Sequence, residues 1–168
     1  MSQMRLASNL VAGLAFTVAL APPALAGDKV LEFESMAGVV RPYTGSANPV
    51  RGVNGGGLPW VIRVGKGEVK ADGRIEVRVR GLVLADDPAV PPARRLVNPI
   101  PNFRAVVSCL TVDAAGLAAT VNATTGDFPA TTGGDSEIEA ALELPSPCIA
   151  PIVFVTSPGG AWFAATGG

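Results

Sequence analysis

Glu68-Val-Lys-Ala-Asp-Gly-Arg-Ile-Glu-Val-Arg-Val-Arg80 is the stretch that decides the fold. On either side of Asp72-Gly73 apolar and charged residues alternate with period two. That is the pattern of a strand with one buried face and one wet face. Val69, Ala71, Ile75, Val77 and Val79 belong to the core face, and Glu68, Lys70, Glu76, Arg78 and Arg80 to water. Asp-Gly between two such arms predicts a two-residue type I′ hairpin turn. The charged residues are then expected to pair with opposite sign across the hairpin. Exposed pairs of that kind contribute about 0.2–1 kcal/mol each, so they set register more than stability.

The same period extends outward. Leu31 and Phe33 alternate with Glu32 and Glu34 in Val30–Met36, and Val39-Val40 is a short apolar run. A long connection, Arg41 to Pro59, leads to a strand from Leu58 to Val64, with Pro59 confined to its start or an edge. Downstream, Ala85 to Asn102 contains Pro88, Pro91, Pro92, Pro99 and Pro101, which excludes an α-helix and a central strand. Phe103–Val112 reads as a mostly buried strand, turned by Asp113–Gly116 into Leu117–Thr124. A last hairpin joins Ile149–Thr156 to Ala161–Thr166 through Ser157–Gly160. Ser136–Leu144 carries two signals. Ser136-Glu-Ile-Glu139 has capping-box spacing, whereas Ile138, Ala140, Leu142 and Leu144 alternate strictly with their neighbours. Only a strand keeps those four on one face, so a strand is predicted.

Twenty glycines and 15 prolines punctuate the chain along its length rather than pooling in a linker. With short β-branched runs between them, they predict an all-β, single-domain, two-sheet β-sandwich, Ig-like or jelly-roll-like, of about eight strands.

The first 26 residues have a different logic. Arg5, the apolar run Leu10–Ala21 and the small residues Ala24 and Ala26 form a secretory signal peptide, with cleavage expected between Ala26 and Gly27. The run is too short for a stable membrane span, which takes roughly 20 residues. An exported domain over 27–168 is expected, with no membrane insertion after cleavage. In an oxidising compartment its two cysteines, Cys109 and Cys148, are expected to form one disulfide. In general character the chain resembles small exported bacterial β-sandwich proteins with a single disulfide, a likeness of architecture alone.

The catalytic census is mostly negative. With no histidine, the chain cannot form a Ser-His-Asp triad, a His-supported cysteine nucleophile or a zinc-binding HExxH helix. It also lacks dinucleotide and P-loop fingerprints, so no cofactor is expected. The net charge of −1 gives no footprint for nucleic acid. Carboxylates remain: Asp86-Asp87 in one loop, and Asp127, Asp135, Glu137 and Glu139 near another. They would suit a polysaccharide hydrolase with two carboxylates across a cleft, or a calcium loop. Neither spacing is specific, and no metal site is assigned.

Two loops are candidate binding surfaces. Arg41 and Tyr43 precede Arg51-Gly-Val-Asn-Gly-Gly-Gly-Leu-Pro-Trp60, so Arg41, Tyr43, Arg51, Asn54, Gly55, Gly56, Gly57 and Trp60 form a candidate ligand set. Consecutive glycines let backbone amides approach a ligand, and Arg, Tyr and Trp supply stacking and hydrogen bonds. The bland alternative has Trp60 plugging one end of the core. The second loop offers Arg94-Arg95 among prolines as a protease-inhibitor epitope. Asn122-Ala-Thr124 fits a glycosylation sequon and is read as an ordinary polar strand position. The sequence therefore points to an exported, non-catalytic binding module or structural envelope component, with an extracellular protein or a glycan as its partner.

Overall fold

A computed structural model describes residues 28–166; the leader and its cleavage point lie outside the described residues. The strands in chain order are β1 (Lys29–Phe33), β2 (Ala37–Gly38), β3 (Trp60–Val61), β4 (Val64–Lys70), β5 (Arg74–Arg80), β6 (Val83–Leu84), β7 (Asn102–Val112), β8 (Ala118–Thr124), β9 (Phe128–Pro129), β10 (Ser136–Ala141), β11 (Ile149–Thr156) and β12 (Trp162–Ala165). Eight of them have four or more residues. The first sheet has the order β1-β4-β5-β10, and the second β2-β12-β11-β7-β8 with β9 also on β7. β3 and β6 form a separate ribbon. All pairings between these strands are antiparallel. The contested segment is a strand, β10, three residues shorter than its alternation predicted.

One buried cluster fills the space between the sheets. Val69, Ile75, Val77, Val79 and Ile138 come from the first sheet, and Phe103, Ala105, Val107, Cys109, Val153, Val155 and Phe163 from the second. Trp60 stacks on Phe163 with ring centroids 4.0 Å apart, and Phe103 meets Phe163 edge-on at 6.0 Å.

The central hairpin differs from the expected one in its turn. Val69 stands opposite Ile75, which leaves three residues, Ala71-Asp72-Gly73, in the loop instead of two. Gly73 sits at φ +85° and donates its N–H to the Lys70 carbonyl at 2.9 Å. This is a three-residue hairpin closed by a left-handed glycine. The alternation itself demands it. Cross-strand partners share a face, so Val69 and Ile75 can both point inward only across an odd loop. The opposite-charge pairing expected across the hairpin is corrected by the same register: Glu68 faces Glu76, and Lys66 faces Arg78. Opposite charges meet elsewhere, Glu68 with Lys29 and Lys70, and Glu137 with Arg78 and Arg80.

The second sheet is buried on both sides along β7 and β11. Odd residues of β7 face the shared core, while Val106 and Ser108 point to the other side and are buried as well. Beside them on that outer face lie Phe154, Thr156 and Trp162. The long Arg41–Pro59 connection lies across this face. Arg51 Nη1 donates to the Ser108 carbonyl at 3.2 Å, and Asn122 Nδ2 donates to the Arg51 carbonyl at 3.1 Å. Gly55 bridges to Trp162, whose N–H donates to the Asn54 carbonyl at 2.9 Å. Cys109 and Cys148 form the expected disulfide, with Cα atoms 4.9 Å apart, joining β7 to the start of β11. No helix among the described residues is long and apolar enough to cross a membrane.

Candidate functional site

The structure disperses the candidate ligand set. Trp60 is 3% exposed and spends its ring on Phe163, so it occupies the core-plug position. Gly55 and Gly56 serve the same packing. A Cβ on Gly55 would strike the Tyr43 carbonyl, and one on Gly56 would press on the rings of Phe163 and Trp60. Tyr43 and Arg41 are exposed at the other end of the connection, with Arg41 Nη2 3.4 Å from Asp87 Oδ2. Arg51 adopts φ +49° and clamps the loop onto the second sheet. A Cβ on Gly57 would meet open space.

Arg51 also borders a depression of about 410 Å³ beside β1 and the start of β11, and Asn54 lines a second concavity. With Gly52 and Val53 it forms one wall of a groove of about 420 Å³, and Pro158–Ala161 forms the facing wall. Its floor is the outer face of β7 and β8: Arg104, Val106, Asn122 and Thr124. Strand register places these side chains together, since Val106 stands opposite Thr124 and Ser108 opposite Asn122. Arg104 pairs with Asp127, so the groove presents amides, a hydroxyl and glycine backbone around a neutralised cation. Sequence reading missed this floor. Its signal was the even-numbered polar series Thr120, Asn122 and Thr124, and the partner that Asn122 takes, the Arg51 carbonyl, lies in a loop 71 residues away in the chain.

Three buried polar atoms on the outer face of the second sheet have no protein partner: Ser108 Oγ, Thr156 Oγ1 and Trp162 Nε1. Their burial is the cost of covering a sheet face on which the sequence alternates apolar residues with hydroxyls.

The candidate carboxylates are all placed, and most are engaged. Asp86 pairs with Arg95 at 3.1 Å, and Asp87 accepts the Ala89 N–H at 2.8 Å. Asp135 Oδ1 accepts the Gly81 N–H at 2.9 Å, and Glu137 pairs with Arg78 and Arg80. Glu139 ends a row of glutamates, Glu32, Glu68, Glu76 and Glu139, which stand opposite one another across the first sheet. The row borders a depression of about 290 Å³. Hydrogen bonds from Lys70 and then Lys29 hold the Glu68 carboxyl below its ordinary value, and those to Glu32 and then Glu68 hold the Lys29 ammonium above its own. Among the described residues no group of three or more His, Cys, Asp or Glu is placed to hold a metal ion.

The proline loop is tied down by its own residues and by the neighbouring Thr131-Thr132 segment. Asn98 is buried and uses its whole amide, donating to the Ile100 and Thr131 carbonyls and accepting the Ile100 N–H. Arg95 folds back onto the Val90 carbonyl at 3.0 Å, whereas Arg94 is exposed at the end of a short 3₁₀ turn, Pro92–Arg94.

Comparisons with protein-family models, curated proteins and solved structures give no match to this chain.

Proposed function

We propose that this chain is an exported, non-catalytic binding module whose ligand lies in the groove between Gly52–Asn54 and Pro158–Ala161. The observation that carries the reading is the clamped loop. Arg51 and Asn122 fix it to the sheet by two hydrogen bonds, so one wall of the groove is built in advance. Pre-organisation of that kind spares a ligand the entropy of ordering the loop.

The lining sets the chemistry. Asn54, Asn122 and Thr124 offer neutral donors and acceptors, and Asp127 cancels the charge of Arg104. A neutral, hydroxyl-rich ligand of the glycan type fits that lining better than an anion. The engaged carboxylates support the non-catalytic part, because Asp86, Asp87, Asp135 and Glu137 each hold a loop or a neighbouring strand. The disulfide is compatible with export.

The test is an NMR titration of the labelled protein with a panel of neutral oligosaccharides. Amide shifts concentrated at Asn54, Asn122 and Gly159-Gly160 are expected, with affinity lowered about tenfold in Asn122→Leu through loss of one hydrogen bond to the ligand. Shifts confined to other surfaces, or none at millimolar ligand, contradict the reading. Hydrolysis of any panel member that is lost on changing Asp86-Asp87 or Asp135 and Glu137 would instead establish an enzyme.

A further inference from the structure

The sheets expose several edges, and most carry a device against pairing with another chain. β1 has a register irregularity between Lys29 and Leu31 and bears Lys29 and Glu32. β10 is six residues long and bears Glu137 and Glu139. β2 is two residues long, and the Trp60 N–H donates to the Val39 carbonyl just beyond it. Charges, irregular register and short length are the usual protections of an edge strand.

β8 has none of these. It pairs with β7 in unbroken register over seven residues, from Ala118 opposite Val112 to Thr124 opposite Val106. Its other edge has no backbone partner among the described residues. From Ala114 to Gly126 the chain contains no charged residue and no proline. Five of the seven residues of β8 are exposed, Val121 at 37%.

Ladder alternation shows which backbone groups face outward. Thr125 donates its N–H to the Ala105 carbonyl, and Asp113 donates to the Leu117 carbonyl. Odd-numbered residues between them therefore bond to β7, leaving Ala118, Thr120, Asn122 and Thr124 with N–H and C=O pointing away from the sheet.

We propose that β8 is a self-association edge, on which a second copy of this chain docks its own β8 antiparallel about a two-fold axis at Val121. That register sets Thr120 opposite Asn122 of the copy and Ala118 opposite Thr124, and these are the residues with free backbone groups. Small residues meet small residues, hydroxyl meets amide, and no like charges oppose. The two Val121 side chains meet at the axis in the closely spaced, non-hydrogen-bonded position. The strand is thus complementary to itself, as an isologous interface requires.

Sedimentation equilibrium of the purified chain tests this, and a monomer–dimer equilibrium is expected. Val121→Lys sets two ammonium groups face to face at the axis and should weaken association at least about 100-fold. Thr120→Pro removes an outward N–H while keeping the bonds to β7, so it should abolish the dimer and leave the β-type circular dichroism unchanged. Val121→Cys should form a covalent dimer on oxidation, because the two Cβ atoms at the axis are within disulfide reach. A wild-type chain that stays monomeric at hundreds of micromolar overturns the proposal. So does a dimer unaffected by both Val121→Lys and Thr120→Pro.

Discussion

The two sheets share one core but treat their outer faces in opposite ways. The first sheet leaves its outer face to water, and β5 alternates exposed and buried residues along almost its whole length. The second sheet buries its outer face under the clamped connection, so β7 is buried almost continuously from Phe103 to Cys109. Charge chemistry sits on the first sheet, in the glutamate row and its lysines. The groove beside Asn54 and the unpartnered hydroxyls sit on the second. A face left to water sets register and solubility. A covered face sets stability, and along the border of its cover it makes a groove.

The largest effect should come from the covered face. Phe154 is fully buried there beside Trp162, with ring centroids 5.8 Å apart. Phe154→Ala is expected to destabilise by about 3–5 kcal/mol, whereas Arg78→Ala on the open face should stay within about 0.5 kcal/mol. Equal effects in urea unfolding would erase the distinction between the faces.

Reduction of Cys109–Cys148 comes next. The bridge ties β7 to the start of β11 across a sequence separation of 39, and its loss should destabilise by roughly 2–4 kcal/mol. That corresponds to a fall of about 5–15 °C in the thermal midpoint. An unchanged midpoint with both thiols shown to be free would mean that strand pairing alone holds this end.

Thr156→Val probes the cost of the cover. The Thr156 hydroxyl is buried without a protein partner, so replacing it by a methyl of similar shape should stabilise by about 1 kcal/mol. Destabilisation would show that the hydroxyl is satisfied and that this face carries no such cost.

The smallest effect lies on the open face. The lowered Glu68 carboxyl contributes stability in full above its ordinary value of 4.5, lost as pH falls through the lowered one. The raised Lys29 ammonium contributes below 10.5, lost as pH rises past its raised value. Urea midpoints measured against pH should therefore show Lys29→Met matching wild type most closely at the two extremes and falling slightly below it between them. A deficit confined to the extremes would contradict the assignment.

How much of this was legible in the sequence follows the same division. On the open face period two names most of the buried residues, so Val69, Ile75, Val77 and Val79 fall where alternation puts them, while Ala71, also expected on the core face, is exposed in the three-residue turn. The turn was misread because Asp-Gly is a local signal, whereas the parity of the two arms is a constraint across both strands. On the covered face burial hides the period. Nothing in Phe103–Val112 says that its second face is dressed by a loop some 50 residues upstream. The glycines of that loop were visible, but their purpose, backbone against Tyr43 and against the Trp60–Phe163 stack, depends on contacts that no spacing encodes. Asn54 was legible as a candidate, and the groove floor at Arg104, Asn122 and Thr124 was not.

The most direct test of the account is amide hydrogen exchange across the Arg41–Pro59 connection. If the loop is a layer of the fold, Val53, Gly56 and Trp162 should exchange as slowly as Val155 in the core, because their N–H groups bond to the Val50, Trp162 and Asn54 carbonyls at 2.7–2.9 Å. If they exchange at the rate of an open surface loop while Val155 stays protected, the connection is a detachable flap. The groove wall would then not be pre-built, and the central claim would fail.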